Sequence, residues 1–285
     1  MAAALNCILD NMNVHEIIIP MDFPAERADK ALSKLIKEMP AWQIRAAFQR
    51  KDVKCNGKRI APDDLLSPGD NVRVYTPYSK AVAVEPIECI FQDSEYAVIH
   101  KMPGLPVQGP VSVETLASDM LRVTLKACHR LDVQTGGLLL LAKTESALIK
   151  AESAFYHHQI EKTYRALVRG RPDPAEAKLT AYLLKDAKSS TVRIIPRYIP
   201  GAVKIETRYR VIDPGETVSR VEVDLLTGRT HQIRAHMAYI GHPVLGDDKY
   251  GDRAFNKEQG ARRQKLWAVR LTLWDGRTFS VEERF

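Results

Sequence analysis

A chain of 285 residues, 45% hydrophobic and 27% charged, is long enough for two domains and has the balance of an ordinary soluble protein. No apolar run approaches the ~20 residues a helix needs to cross a bilayer, and Met1 to Asn13 lacks the basic flank and apolar core of a secretory signal. A net charge of +7 favours polyanions, with RNA, DNA and acidic membrane surfaces all open, although such an excess also serves solubility alone.

Cys7, Cys55, Cys89 and Cys128 stand far apart with no Cys-x-x-Cys spacing, so neither a disulfide framework nor a zinc site is expected and a reducing cytoplasm fits. His157 and His158 are adjacent and point differently. His231 and His236 are five apart, off the register that helical metal pairs use.

Residues 1–19 read as an N-terminal extension and residues 20–78 as a small α/β module. Ala25 to Ile36 has helical spacing, and a second helix is predicted from Ala41 to Arg50 after Pro40. Val53 to Ile60 reads as a hairpin turning at Asn56-Gly57, Pro68-Gly69-Asp70 as a further turn, and Asn71 to Tyr75 as a closing strand. Arg45, Arg50, Lys51, Lys54, Lys58 and Arg59 cluster here, able to follow phosphates or to form a solvated basic face. Residues 79–86 read as a linker.

From residue 87 to 285 strands dominate. Ile87 to Phe91 and Tyr96 to His100 are strand-like, Lys101 to Val107 is a turn-rich loop, and Val113 to Leu125 is helical. Gly137 to Lys143 is a continuous apolar strand, followed by a helix from Thr144 to His158. Lys162 to Val168, Thr191 to Ile195, Val203 to Val211 and Ser219 to Leu225 alternate like strands. Thr230 to Ile240 is a helix stopped by Gly241 and Pro243, and Leu266 to Trp274 is a last strand. The sum is a mixed, mainly antiparallel α+β domain.

Asp132 stands just before the apolar strand, where an ionisable group is costly unless used or paired. Read alone it is a reactive carboxylate, or a loop acid that caps Thr135 or pairs with Arg130. Tyr164 can set its ring against a base and its hydroxyl near a proton in transit, or be a half-buried strand aromatic. Arg229 sits at a helix N-terminus, a natural phosphate site. One turn in, Arg234 can form a bidentate pair with a carboxylate, keeping Asp132 charged and oriented, or be a surface helix arginine.

Three motifs carry a resemblance. His129-Arg130-Leu131-Asp132-x-x-Thr135-x-Gly137 is followed by Leu-Leu-Leu-Leu-Ala-Lys. Lys162-Thr163-Tyr164 opens a strand. Gly228-Arg229-Thr230-His231-Gln232-Ile233-Arg234 leads on to Gly246-Asp247. Together they resemble the RluA family of pseudouridine synthases. The resemblance implies that Asp132 is the catalytic aspartate, acting on the ribose of the target uridine by attacking the sugar or by removing a sugar proton. It implies that Tyr164 packs under the base and handles the proton at carbon 5, and that Arg234 is salt-bridged to Asp132. Arg130 then fills the space of the flipped base, and His129, Lys162, Arg229, His231 and Gln232 become substrate contacts. Gly136 stands where the family usually has serine, and Trp267 where it more often has histidine.

Arg27-x-Asp29-x-x-Leu32, Arg45, Val53-x-x-Asn56-Gly57 and Pro68-Gly69-Asp70 resemble an S-four-like RNA-binding module, which implies RNA contacts from Arg27, Arg45, Lys54 and Lys58. The two resemblances imply an isomerase of RNA that needs no metal, nucleotide or redox cofactor; a monomer is the default expectation, and the cysteine spacing fits the cytoplasm. Large-subunit rRNA is the favoured target, because this module on this core is commonest in enzymes of that class. A tRNA target, or a non-catalytic RNA-binding or ribosome-assembly protein on the same fold, is the alternative reading.

Overall fold

A computed structural model describes residues 13–37, 39, 41–76, 86–109, 111–186 and 191–285. The chain divides into two compact units, residues 1–85 and 86–285. The expected extension up to residue 12 and the expected linker from 79 to 85 lie outside the described residues. No helix among the described residues is long and apolar enough to cross a membrane.

In the first unit, strand β1 (Asn13–Ile18) is followed by the two-residue β2 (Glu26–Arg27), helices α1 (Ala28–Leu35) and α2 (Ala41–Gln49), and strands β3 (Val53–Cys55), β4 (Lys58–Arg59), β5 (Leu65–Leu66) and β6 (Asn71–Thr76). The sheet order is β1-β6-β3-β4, all pairs antiparallel. The core joins Ala28, Ala31 and Leu32 of α1 to Ile44, Ala47 and Phe48 of α2 and Val53, Val72 and Val74 of the sheet. Asn56 and Gly57 turn the hairpin with φ of 49° and 81°, the left-handed pair that a two-residue turn requires. The Asn56 side chain also donates to Asp70 Oδ1 and accepts from the Asn71 N–H, tying the hairpin to the Pro68-Gly69-Asp70 turn.

Two expectations change here. The module begins by residue 13, because β1 pairs along β6 from Asn13↔Thr76 to Ile18↔Asn71. Along it His15 is buried and Ile17 packs half-buried against the core, while Val14, Glu16 and Ile18 are exposed. Helix α1 starts at Ala28, not Ala25, because Glu26 and Arg27 pair with Leu66 and Leu65.

The second unit runs β7 (Ile87–Gln92), β8 (Tyr96–Lys101), α3 (Val113–Leu121), β9 (Lys126–Ala127), β10 (Gly136–Ala142), α4 (Glu145–Tyr156), β11 (Glu161–Arg169), β12 (Glu176–Asp186), β13 (Thr191–Ile195), β14 (Val203–Asp213), β15 (Val218–Leu225), α5 (Gln232–Tyr239), α6 (Arg253–Glu258), β16 (Leu266–Thr272) and β17 (Thr278–Ser280). Among the described residues its strands form one sheet, β13-β12-β14-β15-β11-β16-β10-β8-β7, with β17 on β16 and β9 on β10. Neighbours are antiparallel except β10 and β16, which run parallel through Gly136↔Trp267 and Gly137↔Ala268. This is the mixed, mainly antiparallel α+β architecture expected.

Every residue of β10 is buried, as its unbroken apolar run requires. Ala147, Ala151 and Ala154 of α4 join Leu138, Leu140 and Ala142 in one core cluster. Helix α3 stops at Leu121, short of Leu125, where Arg122 turns left-handed at φ 54°. Strand β12 was not expected, although Ala177, Leu179, Ala181 and Leu183 alternate as a strand should.

Candidate active site

The loop from 129 to 135 delivers Asp132 to the mouth of β10. Gly137, at φ 116°, lets the chain enter the sheet there: a Cβ would lie 2.2 Å from the Ala268 carbonyl oxygen. Lys101, fully buried at the end of β8, gathers the loop from behind. Its Nζ donates to the carbonyls of Met102, Val133 and Thr135 at 3.2, 2.9 and 2.7 Å, with that of Asp132 at 3.4 Å. Burial pushes this ammonium down to about 7, against the pull of the Asp132 charge. The loop closes on itself through Thr135 N–H to Asp132 O, and Gln264 donates to the Thr135 hydroxyl.

The Asp132 carboxylate lies in a cavity of about 670 Å³ lined also by Arg130, Tyr164, Arg229 and His231. Its Oδ2 accepts from Arg234 Nη1 at 2.9 Å, and its Oδ1 lies 3.9 Å from His231 Nε2. The expected bidentate pair exists, but on another acid. Arg234 Nε and Nη2 fork onto Asp247 at 2.7 and 2.8 Å, and Nη2 also meets Asp248 at 3.2 Å. Asp247 is fully buried and so demands the stronger neutralisation; it further accepts from the amides of Lys249 and Tyr250. Burial opposes the charge on Arg234, yet Asp247 and Asp132 more than offset it and hold the guanidinium above its usual range.

Tyr164 rises from β11 beside this acid. Burial, then the Asp132 charge, raise its phenol above the usual range, so it is neutral. Its hydroxyl finds no hydrogen-bond partner among the described residues and is free to face a ligand in the cavity. Lys162 opens the same strand, with Nζ 5.6 Å from the Phe155 ring centroid. Burial lowers its pKa, and no carboxylate pairs with it among the described residues. Gly228 stands so close that a Cβ would lie 3.3 Å from this Nζ.

Two expected substrate contacts line the cavity and are also tied into the surrounding structure. Gln232 is buried and uses every hydrogen-bonding site of its amide: Oε1 accepts from Thr227 Oγ1 and the Arg229 N–H, while Nε2 donates to Glu206 O and Thr207 Oγ1. It is turned inward because α5 starts at Gln232, after a left-handed His231, rather than at Thr230. His129 Nε2 accepts from the Leu140 N–H at 3.1 Å, and its ring packs on Phe155. Burial, then the Lys162 charge, push its pKa down to about 3. Arg130 and Arg229 are exposed and line the cavity.

Arg27, Arg45, Lys54 and Lys58 belong to the first unit and are not among the cavity's residues. Arg27 is paired with Asp29 at 3.1 Å, and Lys54 lies over the Tyr75 ring. Among the described residues no cluster of three or more His, Cys, Asp or Glu is arranged to hold a metal ion.

Lys101, Asp247 and Tyr250 were not singled out from sequence as site residues. Asp247 closes the third motif and could have been read from it; Lys101 opens the turn-rich loop to Val107, a fourth and weaker match to the family, but neither it nor Tyr250 shows locally which distant groups it holds.

Comparison with known proteins places this arrangement. Residues 95–239 match the family model of RNA pseudouridylate synthase. A protein of Vibrio parahaemolyticus serotype O3:K6 called ribosomal large subunit pseudouridine synthase C is 32% identical over 87% of this chain and 83% of its own length. Its namesake in Escherichia coli K12 is 32% identical over 86% and 82%. The solved structure of human RNA pseudouridylate synthase domain containing 1 superposes with a TM-score of 0.62 at 23% identity, covering 71% of this chain and 85% of that one, a likeness of fold. The chain belongs to the RNA pseudouridylate synthase family.

Proposed function

We propose that this chain isomerises uridine to pseudouridine in large-subunit ribosomal RNA, with Asp132 as the catalytic carboxylate. The observation that carries the reading is the convergence of Asp132, Arg234 and Tyr164 on one cavity from a loop, a helix and a strand. The reaction breaks the bond from ribose carbon 1 to nitrogen 1, turns the uracil and rejoins it through carbon 5. The proton leaves carbon 5 and nitrogen 1 gains one, so nothing is oxidised and no cofactor is needed. Asp132 acts on the ribose, Arg234 orients it, and the neutral Tyr164 lies where a base would rest, its hydroxyl available to the moving proton.

A base in a helix must first leave the stack, at a cost of a few kcal/mol. Arg130, exposed at the cavity, is the side chain to fill the gap. Lys162 and Arg229 supply positive charge for the phosphates on either side. The first unit, with Arg45, Lys54 and Lys58 on its helix and hairpin, serves as an S-four-like RNA clamp. Ribosomal RNA is favoured over tRNA because the relatives named above are called ribosomal large subunit enzymes. A monomer acting in the cytoplasm is the simplest form of this reading.

The test maps pseudouridine across total RNA, by carbodiimide adducts and primer extension, in cells lacking the protein and rescued with wild type or Asp132→Asn. Large-subunit sites restored by wild type alone are expected. Sites restored only in tRNA would move the target. Rescue by Asp132→Asn, or no altered site at all, would favour a non-catalytic RNA-binding role.

A further inference from the structure

The two oxygens of Asp132 are served unequally. Oδ2 takes Arg234 Nη1 at 2.9 Å, whereas Oδ1 faces His231 Nε2 at 3.9 Å, beyond hydrogen-bonding distance. What that nitrogen offers depends on the ring's tautomer. A proton there makes it a donor beside the acid; a lone pair there would set two acceptors against each other.

The two sides of the ring together bear on the choice. His231 Nδ1 lies 2.8 Å from the Tyr250 hydroxyl. The same hydroxyl accepts from the Val192 N–H at 2.8 Å. A backbone N–H can only donate, so it occupies an acceptor site of the phenol oxygen. On the other side of the ring the Asp132 carboxylate can only accept and so favours the proton on Nε2, and the phenol's own proton is then donated to His231 Nδ1. A neutral imidazole that accepts at Nδ1 carries its proton on Nε2, the nitrogen that faces Asp132.

We propose that Tyr250 is a positioning residue that holds His231 as the Nε2–H tautomer, so that a ring N–H faces the Asp132 oxygen left free by Arg234. A ribose hydroxyl lodged beside the acid then meets a donor as well as a carboxylate. The inference rests on Asp132 being the catalytic group.

The surroundings fix the tyrosine for this task. Its amide donates to Asp247 Oδ1 at 2.9 Å, and its ring lies 5.1 Å from the Arg234 guanidinium. The next residue must be glycine, since a Cβ on Gly251 would lie 2.2 Å from the Asp247 carbonyl oxygen. His231 has φ 55°, an uncommon conformation for a residue with a side chain and one that clusters at functional sites. The turn from Asp247 to Tyr250 thus steadies both groups that address Asp132: Arg234 through a carboxylate and His231 through a phenol.

The first measurement is the ring tautomer of His231 by long-range nitrogen–proton NMR on the full-length enzyme, assigned by loss of the signal in His231→Gln. The Nε2–H form is expected, and an Nδ1–H ring would overturn the proposal. Tyr250→Phe keeps the ring over Arg234 and removes only the hydroxyl. It is expected to mix the tautomers and lower kcat about three- to tenfold, the worth of one orienting hydrogen bond, with KM changed by less than about twofold. The substrate is a transcript of the RNA segment found by the mapping above. In a His231→Gln background Tyr250→Phe should cost nothing further, and additive losses would show that Tyr250 does not act through His231. Full turnover in Asp132→Asn would instead defeat the catalytic assignment and leave the tautomer result standing.

Discussion

Arg234 reaches Asp132 with a single nitrogen, Nη1 at 2.9 Å, because its Nε and Nη2 are forked onto Asp247. One buried cation therefore has three acidic partners of different kinds, the exposed Asp248 among them. Asp247 is sealed in the interior, whereas the side chain of Asp132 keeps 16% of its surface open. The two asparagine variants should separate fold from chemistry. Asp132→Asn leaves the fork intact and is expected to abolish turnover while unfolding free energy changes by less than about 1 kcal/mol. Asp247→Asn strips the buried partner and should cost about 3–5 kcal/mol of stability. Urea unfolding and single-turnover kinetics on both variants check this, and equal stability losses would contradict it.

The same geometry shows where sequence reading stops. The tight hairpin at Asn56-Gly57, the buried run of β10 and the limits of β13 are legible because each depends on neighbours in the chain. Asp132, Tyr164 and Arg234 are legible through their motifs. The partner chosen by the Arg234 fork is not, since Asp132, Asp247 and Asp248 are all acids within reach and only the packing of the 247–250 turn behind α5 selects among them. The internal hydrogen bonds of Gln232 are not legible for a related reason: a late helix start turns it inward, and residue type carries no mark of that.

Gly136 and Trp267, two positions that differ from the residues usual in the resembled family, face each other across the parallel pair of β10 and β16. A Cβ on Gly136 would lie 2.7 Å from three atoms of the indole. Gly136→Ser alone should overpack this contact and cost about 1–3 kcal/mol. Trp267→His alone leaves a void and removes the indole N–H donated to His100. Joined, the small-for-large and large-for-small changes should offset each other, so the double variant is expected to be more stable than the sum of the singles predicts. Thermal unfolding of the four proteins closes the cycle, and simple additivity would refute the pairing.

His129 makes stability depend on acid. Its folded pKa lies near 3, against an ordinary 6.5, because burial and Lys162 disfavour the imidazolium. Between these values the unfolded chain binds the proton more readily than the folded one, so the contribution is complete above 6.5 and is lost as pH falls towards 3. His236, pushed by burial to about 4, acts in the same direction. His129→Gln offers the Leu140 N–H an acceptor that does not titrate. Its unfolding free energy should fall less steeply than wild type between pH 6.5 and 4, by on the order of 1–3 kcal/mol. Parallel slopes in urea titrations across that range would remove His129 from the account.

The proposed role of the first unit makes a prediction about salt. Lys58 is exposed on the hairpin, and Lys54 is half-buried beside it. If their charges meet phosphates, each contact releases condensed counterions, and the fall of log affinity with log salt steepens by about 0.7–0.9 per contact. Replacing both lysines by glutamine should therefore flatten that slope by roughly 1.4–1.8 and weaken binding most at low salt. Turnover on RNA held at saturation should stay unchanged, because neither lysine lines the cavity that holds Asp132. A loss of affinity with an unchanged salt slope would mean that the lysines support the unit's structure rather than grip RNA, and the clamp would have to lie elsewhere on the chain.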